Sequence, residues 1–585
     1  MYICDSGGFF QTTFLVAINP AKWPKGQAIV SDDTFAKIRE GKERRSSAIL
    51  DDDMRYYNWL ENATMIDLMN AVDEGIRRIG VALPPSKWFS PAQVAQAWMT
   101  NRVPDRETIE AVVPEAFRKA ARASFIAGWF ETFMHGPIPG IVYQYDINSA
   151  YPYHANRLPC LLHGEWSEGT GKPDDPGPYC LIKAEVTVPI GQKKRHIGSM
   201  LHRTEKGRIC RPAFTAGWYW NHELQAAIRA GCVRVIKYHE WQRYRPCACP
   251  SPLRELKDLY ELRITPIENK NSPLGRGARL VYNCVYGKLC QNVGIPKFMN
   301  FVYASLITAG CRTQILDAIA THPMGKAGVV QVATDAVYFL TPHPSLPQSI
   351  ELGDWEAEEH HNLTVFKPGV YWDDKARASI AAGQSPQFKA RGVSARDMAA
   401  HLDDLDSQYA AWNGKPPKVR NGMVPNKRGW PHVEFMPSFQ MISAKQAMVW
   451  NKWELAGTLK NEPVTQSGNP ADKRDGVYYD AEWGVYRTEP IRLWPVEGRF
   501  GWSQPYDERF DQSQETNPMA DDNRDKWGIT PDGMVDMLMI DAMMPDRKNM
   551  PDVSTKKTYI SRPGRARMGV RSMGHVNRKS MENRS

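Results

Sequence analysis

Two short β-rich runs, each carrying an aspartate where a regular strand has to stop, restrict what this chain can fold into more than any other feature. The first run is Gly140 to Tyr145, followed at once by Asp146, and Pro152 forbids a regular continuation. The second is Val329 to Leu340, two β-rich stretches meeting at Thr334-Asp335, which reads as a tight hairpin with an acid at its tip. A carboxylate held at a strand end beside backbone carbonyls suits a hard, oxygen-seeking cation such as Mg²⁺, and one carboxylate is seldom enough. The two acids lie far apart in the chain, so only a tertiary fold that pairs the two runs can unite them. Between them, Arg279, Asn283 and Tyr286 fall at i, i+4 and i+7 and share one helix face. A cation, an amide and an aromatic ring then point the same way, as a nucleotide site requires.

Composition narrows the class. With 585 residues, 42% of them hydrophobic, the chain can bury several cores. Its formal charge of +9 suggests a polyanionic partner, yet 11 Lys and Arg against 3 Asp and Glu fall in Asp546 to Ser585 alone. Most of the excess therefore sits in the last forty or so residues, and a basic surface elsewhere has to be a local groove. No apolar run approaches the ~18 residues of a membrane span, and no basic n-region with an apolar core opens the chain. The expectation is a cytoplasmic protein with no membrane partner. The ten cysteines lie between Cys4 and Cys311, mostly singly. Cys247-Ala248-Cys249 lacks the two-residue gap and second pair of a zinc site, so all ten read as reduced thiols.

The three stretches, in this order, resemble the palm and fingers motifs of family B DNA polymerases, nearest the protein-primed phage and plasmid branch. Asp146 to Pro152 matches Asp-x-x-Ser-x-Tyr-Pro in full, and Asn283 to Gly287 matches Asn-x-x-Tyr-Gly. The third motif, Asp-Thr-Asp-Ser in the family, is here Ala333-Thr334-Asp335-Ala336 and keeps only the second aspartate. The resemblance implies an α+β multidomain fold, a right hand of palm, fingers and thumb preceded by a partial RNase H-like exonuclease domain. It implies template-directed DNA synthesis with two Mg²⁺ ions, replaceable by Mn²⁺, held by Asp146, Asp335 and the Ile147 carbonyl. Ile147, Ser149, Tyr151, Arg263, Arg279, Asn283, Tyr286 and Gly287 are the implied nucleotide contacts, with Tyr151 excluding a 2′-hydroxyl. Tyr371, Lys367, Lys389 and Arg391 are the implied DNA contacts, Gly369 standing where the family's motif has lysine. Primer-template DNA and deoxynucleoside triphosphates are the expected partners of a monomer, with a terminal priming protein and a separate exonuclease polypeptide as further candidates. The alternative is a polymerase fold that has lost catalysis and only holds DNA, which Ala333 favours.

The expected divisions are a partial exonuclease-like domain (1–90), a helical connector (91–139), a first palm segment with an insertion (140–250), fingers (251–300), a second palm segment (301–400), a thumb-like region (401–506) and a flexible, finally basic tail (507–585). The first reads as a small α/β piece, with a possible strand at Tyr2 to Asp5 and, from Asp51, a helical pattern through Met65, Leu68, Met69, Val72 and Ile76; in it Tyr57 and Glu61 resemble the third exonuclease motif. No other exonuclease motif is found upstream, so proofreading is not expected of this chain alone. Within the connector a helix is expected over Pro114 to Phe133, with Arg118, Lys119 and Arg122 reading as a solvated face or a phosphate contact.

Overall fold

The computed structural model describes residues 14–490 except 45–50, 85–86, 89–90, 190–199, 204–208, 266–271, 292–295, 385, 391–394, 413–429, 436–439, 442–458, 461–463 and 469–473. The strand expected at Tyr2 to Asp5 and the tail lie outside these residues. From 14 to 84 the described chain is helical, ending in the long α1 (Asp52–Arg78). Asp51 caps α1 by accepting from the Met54 N–H at 2.8 Å. Leu68, Val72 and Ile76 form its buried stripe at the spacing read in the sequence.

The helix expected over Pro114 to Phe133 is shorter: α2 spans Glu115–Ser124. Beyond Gly128 come β1 (Trp129–Thr132) and β2 (Met134–Pro137), so the connector is not wholly helical. The aromatic and β-branched residues of this stretch fit a pleated surface, and pairing with distant strands overrides the helical spacing. Next come β3 (Ile141–Ile147), α3 (Ala150–Ala155), β4 (Glu165–Thr170), β5 (Cys180–Thr187), β6 (Phe214–Trp220), α4 (Asn221–Arg229) and β7 (Arg234–Arg245). The strands β4 to β7 make one antiparallel sheet in the order β4-β7-β5-β6. A helical hairpin follows, α5 (Leu256–Ile264) and α6 (Pro273–Leu289), then the buried α7 (Phe301–Thr321).

The sheet that carries both aspartate runs is completed by β8 (Val329–Thr334), β9 (Ala336–Phe339) and β10 (Trp355–His361), in the antiparallel order β1-β8-β9-β3-β10. One face, with Tyr145, Ile147, Val332, Val337 and Phe339, packs on Cys311, Ile315 and Ile319 of α7. Strand alternation places Gln144 and Asp146 on the other face. A further sheet joins β11 (Thr364–Lys367), β12 (Val370–Trp372), β13 (Lys389–Ala390), β14 (Arg474–Asp480) and β15 (Val485–Pro490) through β2, in the order β13-β12-β11-β2-β15-β14. Strands from the thumb-like range thus share a sheet with the connector, and the buried Arg474 of β14 donates to Glu131 of β1 at 2.9 Å. Among the described residues no helix is long and apolar enough to cross a membrane.

Two contacts fix the helices to this frame. Arg312 on α7, fully buried, pairs with Glu223 of α4 through Nε (2.6 Å) and Nη2 (2.8 Å). Its remaining Nη1 donates to the carbonyls of Ile126 (2.7 Å) and Ala127 (3.1 Å). At the second contact, α1 crosses α6 with backbone against backbone. A Cβ on Gly75 would collide with the Pro273 carbonyl oxygen, and one on Gly277 would lie 2.6 Å from the Gly75 carbonyl carbon. Gly277→Ala is expected to force the helices apart and destabilise the chain by about 1–3 kcal/mol. Urea unfolding measures this, and an unchanged midpoint would show that the crossing is not tight.

Candidate active site

The two motif aspartates meet by strand register. Asp146 lies within β3, one residue short of its end, and not beyond the strand as the sequence suggested. It pairs with Ala336 on β9 and with Glu356 on β10. One step further, the Ile147 N–H donates to the Asp335 carbonyl at 3.0 Å. Residues of the first and third motifs are therefore direct neighbours.

The hairpin between β8 and β9 has Asp335 as its only intervening residue. Thr334 takes φ 69°, and the Asp335 N–H turns back to the Ala333 carbonyl at 2.9 Å, a γ-turn. Ser149, three residues past Asp146, also has positive φ, 50°. Only four described residues other than glycine do so, and two of them adjoin the motif acids, one being the β-branched Thr334. Local strain of this kind, of order 1–3 kcal/mol per residue, persists where surrounding contacts over-determine the backbone.

Those contacts converge on Gly128. A Cβ there would come within 2.5 Å of the Thr334 methyl and 2.8 Å of the Tyr151 hydroxyl. Arg312 grips the two carbonyls just before it. From beneath, the Cys311 thiol donates to the Thr334 carbonyl at 3.4 Å. Burial, reinforced by the charges of Asp335 and Asp146, pushes that thiol well above its ordinary pKa. Both acids thus act on the same buried group.

Tyr151 and Tyr286 come together, their ring centroids 4.6 Å apart and inclined at 55°. Burial raises both hydroxyls far above the usual tyrosine range, so they stay neutral. Asn283, Arg279 and Gly287 are exposed on α6, as one helix face requires. Tyr282, which no sequence motif marks, links the two helices of the hairpin to the first motif. The Arg263 guanidinium of α5 lies 5.5 Å from the Tyr282 ring centroid. Burial raises the Tyr282 hydroxyl, while the charges of Arg263 and Arg279 and the neighbouring Ser149 hydroxyl oppose the rise. The buried Nε of Arg263 has no hydrogen-bond partner. Other cations of the hairpin are engaged in packing. Arg276 lies 4.2 Å from the Trp23 ring centroid, its pKa lowered by burial to about 10, and buried Lys288 donates to Gln96 and Gln291.

A cleft of about 700 Å³ opens on the Asp146 face, lined by Gln144, Asp146, Glu356, Glu358, Tyr371 and Lys375 among others. Ala333, Ala336, Asp146 and Glu356 lie side by side across four strands, on one face. The acid missing at Ala333 therefore has a counterpart on the other side of Asp146. Glu356 carries no sequence signal, because nothing local to Trp355–His361 reveals which residue β3 pairs with.

The expected DNA contacts are placed unevenly. Tyr371 borders the cleft but is 6% exposed, its hydroxyl 2.5 Å from that of Tyr338, and burial pushes its pKa up to about 12. Lys367 is hydrogen-bonded to Gln466. Gly369 stands where lysine was expected because Pro368-Gly369 form the two-residue loop joining Lys367 to Val370, and Gly369 needs φ 80°. The backbone of Lys389 pairs with Tyr371, while Arg391 lies outside the described residues. Of the connector cations, Lys119 pairs with Glu115 at 2.9 Å and Arg118 donates to the Val113 carbonyl, as a solvated face would. Tyr57 is buried and its hydroxyl donates to Glu61 at 2.6 Å, while Lys42 holds the same carboxylate at 2.6 Å.

No family model matches the chain. A DNA polymerase of Acidianus bottle-shaped virus (isolate Italy/Pozzuoli) is 24% identical over 364 residues, which are 60% of this chain and 50% of that protein. The chain thus spans about half the length of the curated relative it matches. Among solved structures, Phi29 DNA polymerase complexed with primer-template DNA and incoming nucleotides matches at TM-score 0.51 and 12% identity over 79% of each chain. Phi29 DNA polymerase in an orthorhombic crystal form matches at TM-score 0.45 and 14% identity, over 63% of this chain and 66% of that one. The fold is that of the Phi29 ternary-complex structure, α+β and multidomain. The resemblance carried by the three motifs is thereby met by a relative named as a DNA polymerase and by an independent likeness of fold.

Gly128→Ala should move Thr334 or Tyr151 and with them the site, at a cost of about 1–3 kcal/mol in stability. Tryptophan fluorescence unfolding reads that cost. A variant as stable as the parent would show that Gly128 does not hold the two motif loops together.

Proposed function

We propose that the chain is a template-directed DNA polymerase that transfers a deoxynucleoside monophosphate to a primer hydroxyl, within the replication of a virus or mobile element. The observation that carries this reading is the direct pairing of β3 and β9, which joins the backbones of the two aspartate motifs, Ile147 to Asp335, where Asp146 lines an acidic cleft.

The donor set fits a hard divalent cation. Carboxylates of Asp146, Asp335 and Glu356 and the Ile147 carbonyl are all oxygen ligands, and the hydrogen bond that turns the Asp335 N–H toward Ala333 fixes the acid's backbone. Two Mg²⁺ ions, or Mn²⁺ in their place, would supply Lewis-acid stabilisation of the phosphate oxygens and of the attacking hydroxyl. The residues of the chain do the positioning. Arg263 and Arg279 bind triphosphate oxygens, and the unpartnered Arg263 Nε supports that role. The Tyr151–Tyr286 pair forms an apolar floor under the sugar, whose lack of space disfavours a 2′-hydroxyl, while Asn283 and Gly287 border the base pair. Ser149, a neighbour of Tyr282, brings the first motif next to the helical hairpin, so that a nucleotide seated between them is held from both sides. Tyr371, Lys367, Lys389 and Arg391 form the DNA side of the cleft, where contacts position the backbone without reading sequence. Glu356, paired with Asp146 across the sheet, supplies an acid on the side opposite Ala333.

Primer extension by the purified chain with Mg²⁺ or Mn²⁺ and all four deoxynucleotides tests this. Asp146→Ala and Asp335→Ala are each expected to lower the rate at least about 10³-fold, and Glu356→Gln to weaken cation affinity by about 10–100-fold. Tight primer-template binding with no extension by the parent chain would establish a DNA-holding protein that does not polymerise.

A further inference from the structure

Outside the acid-lined site, one group of side chains converges with no packing role to explain it. Glu165 of β4 pairs with Arg245 of β7 in an antiparallel ladder. Extending that register by two residues sets His163 opposite Cys247. The loops beyond bring Cys160, His163, Cys247 and Cys249 together, one ligand atom from each lying within 4.8 Å of all the others. The His163 Nδ1 is 3.6 Å from the Cys160 sulfur and 3.3 Å from that of Cys249. Among the described residues this is the only group of three or more His, Cys, Asp or Glu side chains so placed.

We propose that Cys160, His163, Cys247 and Cys249 bind a structural zinc ion. Tetrahedral zinc, with Zn–S near ~2.3 Å and Zn–N near ~2.0 Å, separates a sulfur and a nitrogen ligand by about 3.5 Å, close to both distances observed. Three thiolates and an imidazole are soft donors that select zinc over Mg²⁺. Four protein ligands leave no open position, which marks the ion as structural. The loop is already held in the required form. The Leu162 N–H donates to the Cys160 sulfur at 3.4 Å. Two buried tyrosines brace the residues before it, Tyr244 donating to the Cys160 carbonyl and Tyr303 to that of Pro159.

Near Cys247 the sequence offers no second pair of ligands, which is why its spacing spoke against zinc. That pair comes instead from a Cys-x-x-His segment across the ladder. The ion would clamp the exit of β7 to the loop that follows α3, shortly before the chain enters α5. The base of the helical hairpin that carries Arg263 is thereby fixed to the loop between α3 and β4.

The full chain, purified under reducing conditions, is expected to carry one zinc per molecule by elemental analysis. Exchange with Co²⁺ should give the intense visible bands of a tetrahedral site and a thiolate-to-cobalt charge-transfer band, which an ion on carboxylates cannot produce. The double variant Cys247→Ser/Cys249→Ser should lose bound zinc at least about tenfold, whereas Cys284→Ser, outside the group, should keep it. If the double variant does not fold, Cys249→His provides the test, since it preserves four ligands and should retain zinc with a shifted cobalt spectrum. Folded parent protein with no zinc and no thiolate–cobalt band would overturn the proposal, as would an unchanged spectrum in either ligand variant. A disulfide among Cys160, Cys247 and Cys249 in freshly purified protein would overturn it too. None of these readouts depends on polymerase activity.

Discussion

The arrangement depends on the register of β3 against β9. Strand side chains alternate between faces, so a slip of one residue would send Asp146 into the core and bring Tyr145 and Ile147 to the cleft. The register is held by packing on one face and by pairing along the far edge of β3. On the core side Tyr145, Ile147, Val337 and Phe339 bury against α7, and at that edge β10 pairs with β3 along its whole length. Long-range pairing of this kind is costly in chain entropy, and the burial on α7 offsets it.

The α7 helix acts on the site a second time through Arg312. A buried bidentate pair with Glu223 is weak evidence for net stability, because desolvation opposes the Coulomb gain. Its consequence here is positional. The guanidinium's third nitrogen holds the carbonyls of Ile126 and Ala127, and Gly128 follows directly, beneath the Thr334 methyl and the Tyr151 hydroxyl. A chain of contacts therefore runs from a helix core to Thr334, whose unfavourable φ adjoins Asp335, and to Tyr151 of the first motif.

What could be read from the sequence was what lies close together in it. The spacing of Arg279, Asn283 and Tyr286 on one helix face, the acid at the tip of the Val329–Leu340 hairpin and the apolar stripe of α1 are local patterns, and the structure keeps them. Glu356, Gly128 and Tyr282 carried no local signal. Each gains its place only from a partner more than a hundred residues away: Asp146, Thr334 and Ser149 respectively. The same limit applies to Trp129–Thr132, where helical spacing gave way to pairing with Val329–Thr334, and to Cys247 and Cys249, whose companions stand across a ladder.

The central claim is that Asp146 and Asp335 act together as a cation-holding site for nucleotide transfer. The most direct test is to count Mn²⁺ ions by electron paramagnetic resonance on the chain bound to primer-template DNA and a non-hydrolysable deoxynucleoside triphosphate, beside Asp335→Asn. The account expects two ions per chain that depend on DNA and nucleotide together, with loss of at least one in the variant. Tight DNA binding with no bound Mn²⁺, or the same two ions in Asp335→Asn, would contradict it.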